Sequence, residues 1–418
     1  MKPTHKTMLE ADFLLTNAGR LATVAEHPAP PLEGPLGVLR NGALAARNGR
    51  IVWIGAQDEV AQAVNLVADA QRLDAANALV LPGFVDSHTH LVFAGHRAGE
   101  FHERLRGATY AELLAQGRGI LTTVGATRAA SAADLETSAR QRMARCLAHG
   151  ATTLEAKSGY GLNLADELKC LQVIAALRDG PPRLASTCMA AHAIPPEYRA
   201  DRAAYVRLVC DEILPAARPL ADFCDVFCES GAFDAAESRT ILERARDLGY
   251  KLKLHANQLG HSGGATLAAE LNAVSADHLD FITDADRAAL RSAGVVATLL
   301  PGCAYTLRHA YPDGRRWLDA GLNIALATDL NPGSSYTENM QFVIGLAIPF
   351  CGLTVAEALR AATRGGAQAL QLDTEIGSLE VGKRCDLTIW DTTDEHEIGY
   401  HVGVNLVKRV VVDGAVAL

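Results

Sequence analysis

Leu81-Pro82-Gly83-Phe84-Val85-Asp86-Ser87-His88-Thr89-His90 reads as a short apolar strand that ends in two histidines. Successive side chains of a strand point to opposite faces, so residues two apart share a face. His88 and His90 therefore turn the same way at a strand end, a geometry that suits one metal ion. Two unrelated polar residues at the end of a strand would look the same in isolation. The rest of the chain has to decide between these readings.

Downstream, from about Val80 to Leu370, short apolar runs alternate with amphipathic helical stretches, as in repeated βα units. Eight candidate strands end near His90, Lys157, His192, Glu229, His255, His278, Thr298 and Asp329. Helix signals lie between them: Ser131-Ala-Ala-Asp134 opens a helix that runs to Gly150, and another spans Asp234 to Gly249. Eight such units close most simply as an α/β fold of the (β/α)8, TIM-like type, with the active site at the C-terminal ends of the strands. The flanks read differently. Asp12 to Asn17, Gly42 to Arg47 and Asn48 to Gly55 are β segments, and Asn48-Gly49 is a hairpin turn in which both residues need positive φ. The same style returns in Asp386-Leu-Thr-Ile-Trp390 and Lys408-Arg-Val-Val-Val-Asp-Gly414. The expectation is a barrel over residues 80–371 and a small β-sandwich domain assembled from residues 1–79 and 372–418.

The chain has 418 residues, 49% of them hydrophobic and 21% charged, enough to bury a large core. A net charge of -9 without any Lys/Arg cluster argues against nucleic acid as the main partner. Met1 to Thr7 lack the apolar core of a signal peptide, and no apolar run approaches the roughly 18 residues of a membrane span. A cytoplasmic protein with no membrane partner is expected. The nine cysteines are scattered, as reduced thiols would be. Cys224 and Cys228 share a strand with no second pair to complete a metal site, and they read as buried structural thiols.

Five of the eight strand ends carry a His or an Asp. His88, His90, His255 and Asp329 make a first coordination shell in which three imidazoles and a carboxylate suit Zn²⁺ or Fe and leave a position for water. His278, in Val-Ser-Ala-Asp-His-Leu, can instead bond the attacking water or the substrate oxygen. His192, in Met-Ala-Ala-His-Ala-Ile, is a similar candidate. Most of the other histidines (His5, His27, His96, His102, His149, His261, His309, His396 and His401) read as solvated.

With these residues in place, the chain resembles the metal-dependent amidohydrolase superfamily: the Leu81 to His90 passage, the interrupted β module and Gly377-Ser-Leu-Glu-Val-Gly-Lys-Arg-Cys-Asp-Leu387 all carry the likeness. Phe93-Ala-Gly-His-Arg-Ala-Gly-Glu-Phe101, Lys157-Ser-Gly-Tyr-Gly-Leu162, His255-Ala-Asn-Gln-Leu259, Ser275-Ala-Asp-His-Leu279 and Asp329-Leu-Asn-Pro-Gly-Ser334 are similar to the members that open the imidazolone ring in histidine degradation. That resemblance implies a cytoplasmic homodimer acting on a small molecule, 4-imidazolone-5-propanoate, with one Zn²⁺ or Fe³⁺ per chain on His88, His90, His255 and Asp329. It also implies substrate binding by Arg97, Tyr160, His192, Gln258, Asn331, Gly333 and Ser334. Arg97 suits a propionate tail, which a guanidinium can clamp bidentately, and Tyr160 can donate to the same carboxylate. Asn331 and Gly333 lie in a Pro-Gly turn where main chain can approach a ligand closely.

Asp329 and His278 are the expected catalytic residues, the first moving a proton and the second stabilising an oxyanion. Deaminase-like relatives carry Glu where this chain has Gln258, an amide that cannot shuttle a proton. Other relatives hold two metals through a carboxylated Lys on the fourth strand, which here ends Phe-Cys-Glu-Ser. One metal is therefore expected, with Lys157 as a hydrogen-bonding or structural residue. Deamination of a heterocycle and a non-catalytic scaffold on the same barrel remain the competing readings at this point.

Overall fold

The computed structural model describes residues 8–26, 31–107 and 118–418; His5 and His27 lie outside them. The N-terminal stretch supplies β1 (Leu9–Ala22), β2 (Val38–Arg47), β3 (Arg50–Ala56), β4 (Val64–Asp74) and β5 (Leu79–Pro82). Eight strands follow: β6 (Phe84–Asp86), β7 (Ala151–Lys157), β8 (Arg183–Ala191), β9 (Phe223–Cys228), β10 (Lys251–Ala256), β11 (Ser275–His278), β12 (Val296–Leu299) and β13 (Ile324–Leu326). The C-terminal stretch adds β14 (Leu387–Trp390), β15 (Val407–Val412) and β16 (Ala415–Val416).

The terminal strands make one mixed sheet in the order β16-β15-β14-β5-β1-β2-β3, with β4 also paired to β1. Asn48 and Gly49 turn β2 into β3 at φ 51° and 75°, the left-handed pair that a two-residue hairpin requires. Antiparallel pairing of β14 with β5 joins the two ends of the chain. Leu79–Pro82 thus belongs to this sheet, and the chain passes into the barrel at Gly83, where a Cβ would collide with the Thr152 side chain.

Strands β6 to β13 run parallel in sequence order, each beside the next, with helices between most of them. Sequence dictates where several of those helices begin. Ser131 accepts from the Asp134 amide at the start of Ala132–Ala148, and Asp234 and Thr283 form capping boxes with Glu237 and Asp286. Apolar strand residues such as Leu154, Val226 and Leu254 pack outward into the main core. The alternate positions, Glu155, Lys157, Asp225, Lys253, His255 and Asp277, are also buried, as expected for the inward faces of a closed barrel.

The barrel closes where β13 meets β6. Thr89 and Leu330 form a parallel bridge, the Asp329 amide donates to the His88 carbonyl (3.0 Å), and the Asp86 carboxylate accepts from the Thr328 amide (2.9 Å) and hydroxyl (2.6 Å). The helical segment over residues 361–368 seats on this seam through two glycines. A Cβ on Gly365 would overlap the Ile324 carbonyl, and one on Gly366 the Val85 carbonyl. Among the described residues no helix is long and apolar enough to cross a membrane.

Gly366 has a helical backbone, so alanine there would be resisted by sterics alone. Gly366→Ala should destabilise the fold by about 1–3 kcal/mol, in the range of core overpacking. Gly125, inside the helix Ile120–Ala129 with open space around it, is the control: its replacement by Ala should stabilise by about 0.5–1 kcal/mol. Thermal unfolding of the two variants should move in opposite directions.

Candidate active site

A cavity of about 470 Å³ opens at the C-terminal mouth of the barrel, lined by His90, Tyr160, His192, His255, Gln258, His278 and Asp329 together with Arg97, Asn331, Gly333 and Ser334. His88 adjoins it, fully buried, with Nε2 3.5 Å from Asp329 Oδ1. All of the residues singled out from the sequence meet here. A larger, more open cleft of about 650 Å³ beside Arg178, Arg183 and Asp413 lies elsewhere, and among the described residues it coincides with no group of potential metal ligands.

His88 and His90 lie just past the end of β6 in extended chain, so their rings turn to one side as the strand alternation requires. His90 Nε2 is 3.3 Å from His255 Nε2 and 3.7 Å from Asp329 Oδ1. His278 and Asp329 adopt left-handed backbone, at φ 73° and 53°. For non-glycine residues that conformation costs roughly 1–2 kcal/mol, and it turns side chains inward immediately beyond a strand. Hydrogen bonds hold the strained turns: the Leu279 amide donates to the Ala256 carbonyl (3.0 Å) and the Leu330 amide to Thr328 Oγ1 (3.1 Å).

The donor set fits a cation. His88 Nδ1 bonds Asp277 (2.6 Å), and His255 Nδ1 bonds both oxygens of Asp225 (3.1 Å each). Each carboxylate fixes its ring with the proton on Nδ1, which leaves the Nε2 lone pair facing the cavity. His88 Nε2 is buried with no hydrogen-bond partner. All three rings are held well below the ordinary histidine value, chiefly by burial, with Lys157 and neighbouring imidazoles adding to it. They are neutral at pH 7 and ready to ligate. Burial also pushes the Asp329 carboxyl up to about 8, a penalty on its charged form that a bound cation would relieve.

Below the imidazoles lies a buried ion network. Lys157 Nζ is 2.6 Å from Asp225 and 2.9 Å from Glu155, and Lys253 Nζ is 3.0 Å from Glu155, with both ammoniums 3.8 Å from Asp277. Burial alone would favour neutral lysine, yet Asp225, Glu155 and Asp277 raise the Lys157 pKa. Likewise, burial would raise Asp277, but Lys253 and Lys157 outweigh it and bring that carboxyl below its usual range. Two ammoniums face three carboxylates, which leaves negative charge in excess directly beneath the candidate metal position.

Two arginines line the same cavity. Arg97 Nε bonds Glu100 (3.0 Å), which directs the rest of the guanidinium toward the cavity. Gly333 makes room for it, since a Cβ there would overlap Arg97 Nη1. Arg104 also lines the cavity and donates to the Gly333 carbonyl (3.2 Å). Tyr160 is carried on a loop whose Gly159, Gly161 and Leu162 amides all donate to Glu167 (3.1, 2.8 and 2.8 Å). His192 stacks on His90 (4.9 Å between centroids, 17°) and bonds the Gly159 carbonyl through Nδ1 (3.0 Å).

Asn331 lines the cavity and bonds within its own turn. Its Oδ1 accepts from the Gly333 and Ser334 amides (2.8 Å each), and its Nδ2 donates to the Asp329 carbonyl (2.7 Å). The side chain organises the turn, while the Ser334 hydroxyl reaches Asp329 Oδ2 (3.2 Å).

Asp225, Asp277, Glu155 and Lys253 were not among the expected site residues, although charges at alternate positions of a strand such as Lys251 to His255 are a visible signal. Glu100 and Glu167 stood inside or beside quoted motifs but could not be assigned a partner. Arg104 and His309, the latter read as solvated, both line the cavity.

Asp277→Asn removes the excess negative charge and leaves the two lysines balanced by Glu155 and Asp225, so the fold should persist. Metal affinity should nevertheless drop about 10–100-fold, as for other groups that orient a metal-bound histidine; competition with a chelator measures it. Lys157→Met strands buried carboxylates instead and should cost about 3–5 kcal/mol of stability, seen in denaturant unfolding.

Known proteins resemble this chain over nearly its whole length. The amidohydrolase family model matches residues 106–417, which begins after the His88/His90 pair. The chain is 49% identical over 413 residues to an imidazolonepropionase of Symbiobacterium thermophilum, covering 97% of both chains. It is 47% identical over 405 residues to that of Mycolicibacterium smegmatis, again covering 97% of both. Among solved structures, an adenosine deaminase from Xanthomonas campestris with bound zinc superposes with a TM-score of 0.72 at 20% identity, over 99% of this chain and 94% of that one. That likeness concerns the fold. The chain belongs to the amidohydrolase family and, within it, to the imidazolonepropionases.

Proposed function

We propose that this chain hydrolyses the ring amide C–N bond of 4-imidazolone-5-propanoate to give N-formimidoyl-L-glutamate, using one Zn²⁺ or Fe³⁺ ion held by His88, His90, His255 and Asp329. The observation that carries this reading is the lining of one cavity: metal-competent imidazoles and a carboxylate together with the guanidiniums of Arg97 and Arg104. A small ring with a carboxylate tail matches both sets of groups. Membership among the imidazolonepropionases supports it and brings the further expectation of a cytoplasmic homodimer.

When bound, the ion supplies Lewis acidity, lowering the pKa of water toward ~7. Arg97, held by Glu100, takes the propionate bidentately, and the Tyr160 hydroxyl donates to the same group. Ring position follows from that anchor. Asp329 turns Oδ1 to the histidine pair and Oδ2 to Ser334. This carboxylate takes a proton from the attacking water and returns it to the departing ring nitrogen. His278, which burial lowers to about 4, is a neutral donor to the oxygen on which charge develops. Gln258 can bond the ring but cannot carry a proton, which favours ring opening over deamination and leaves proton transfer to Asp329.

Assay with enzymatically generated 4-imidazolone-5-propanoate tests this directly. Wild-type protein should consume imidazolone absorbance and form N-formimidoyl-L-glutamate without free ammonia; ammonia release would favour a deaminase. Asp329→Ala should lose at least about 10³-fold in turnover, combining a lost proton carrier with a lost ligand. Arg97→Ala should mainly raise KM, by roughly 10–100-fold for a charge-assisted contact of about 1.5–3 kcal/mol. Near wild-type turnover in Asp329→Ala would mean that the metal-site assignment is wrong.

A further inference from the structure

Cys303 differs from the other cysteines. Among the described residues it alone of the thiols belongs to a group that could hold a metal ion: ligand atoms of His278, Cys303 and Asp329 all lie within 4.8 Å of one another. His278 is 2% exposed and its Nδ1 is buried without a hydrogen-bond partner. Cys303 is 3% exposed, and its sulfur receives a long contact of 3.4 Å from Gln258 Nε2. Asp329 is divided between two sides, Oδ1 toward His88 and His90 and Oδ2 toward Ser334.

We propose that His278, Cys303 and Asp329 form a second, inhibitory site for a thiophilic divalent cation such as Cd²⁺ or excess Zn²⁺, beside the catalytic ion and bridged to it by Asp329. Thiolate with imidazole and carboxylate selects Zn²⁺ and Cd²⁺ over Mg²⁺ and Ca²⁺. Binding exchanges the thiol proton for the cation: the S–H bond breaks, a sulfur–metal bond forms, and the proton leaves to buffer. Occupancy removes His278 from the reacting oxygen and Asp329 from proton transfer, so turnover stops. The inhibition rests on the reaction proposed above; the binding does not.

The test uses full-length protein carrying one equivalent of Zn²⁺, titrated with Cd²⁺. Near-ultraviolet sulfur-to-cadmium charge-transfer absorption, zinc release and ring-opening activity are followed together. Wild type should bind one further equivalent, develop the band, keep its zinc and lose more than 10-fold of its activity, while Mg²⁺ and Ca²⁺ do nothing. Cys303→Ala and Cys303→Ser should retain activity and show neither the band nor the inhibition; two variants guard against one that fails to fold. A band of equal size in either folded variant, unchanged inhibition there, or stoichiometric loss of zinc from wild type would overturn the proposal. If the protein proved inactive on 4-imidazolone-5-propanoate, the band and the cadmium stoichiometry would still decide the matter.

Discussion

Five charged side chains sealed inside the barrel, Glu155, Lys157, Asp225, Lys253 and Asp277, set the conditions under which the rest of the site works. Desolvating an ion costs several kcal/mol even after relaxation, so such a cluster is a poor way to stabilise a protein. Its effect is geometric and electrostatic. Asp277 and Asp225 hold His88 and His255 by Nδ1, and the lysines hold Asp277 in its charged form. Neutral imidazoles with Nε2 presented to the cavity are the result. The uncompensated carboxylate charge then favours a cation above them.

The second dependence runs through the barrel seam. His88, His90, Arg97 and Arg104 all follow β6, whereas Asp329, Asn331, Gly333 and Ser334 follow β13. Backbone pairing of His88 and Thr89 with Asp329 and Leu330 fixes these two loops against each other. Gly333 lets Arg97 lie across the junction, and Arg104 ties the far side. The proposed ligand cage and the proposed carboxylate clamp therefore share one support, and the seam beneath it is sealed by Gly365 and Gly366.

Much of this was legible in the chain. Period-two alternation placed His88 and His90 on one side, and apolar runs located all eight barrel strands near the ends at which they stop. Asn48-Gly49 announced its hairpin because few other residue pairs accept two positive φ angles. What could not be read depended on neighbours in space. Asp225 and Asp277 look like polar interruptions of apolar strands until β9, β10 and β11 are side by side and His88 stands opposite. That Arg104 and His309 line the cavity became visible only with the loops folded over it. That Asn331 follows Asp329 in a Pro-Gly turn was visible in the chain, whereas the bonds its amide makes to Gly333, Ser334 and Asp329 appear only in the closed turn.

The central claim is a single cation held by three neutral imidazoles and one carboxylate above the buried charge network. X-ray absorption at the metal edge, combined with elemental analysis of the purified chain, addresses it most directly. About one equivalent of Zn or Fe per chain should be found, with nitrogen and oxygen neighbours at about 2.0–2.2 Å as expected for zinc and no sulfur. Two equivalents in protein purified without added metal, a sulfur neighbour in the resident shell, or metal well below one equivalent would contradict it.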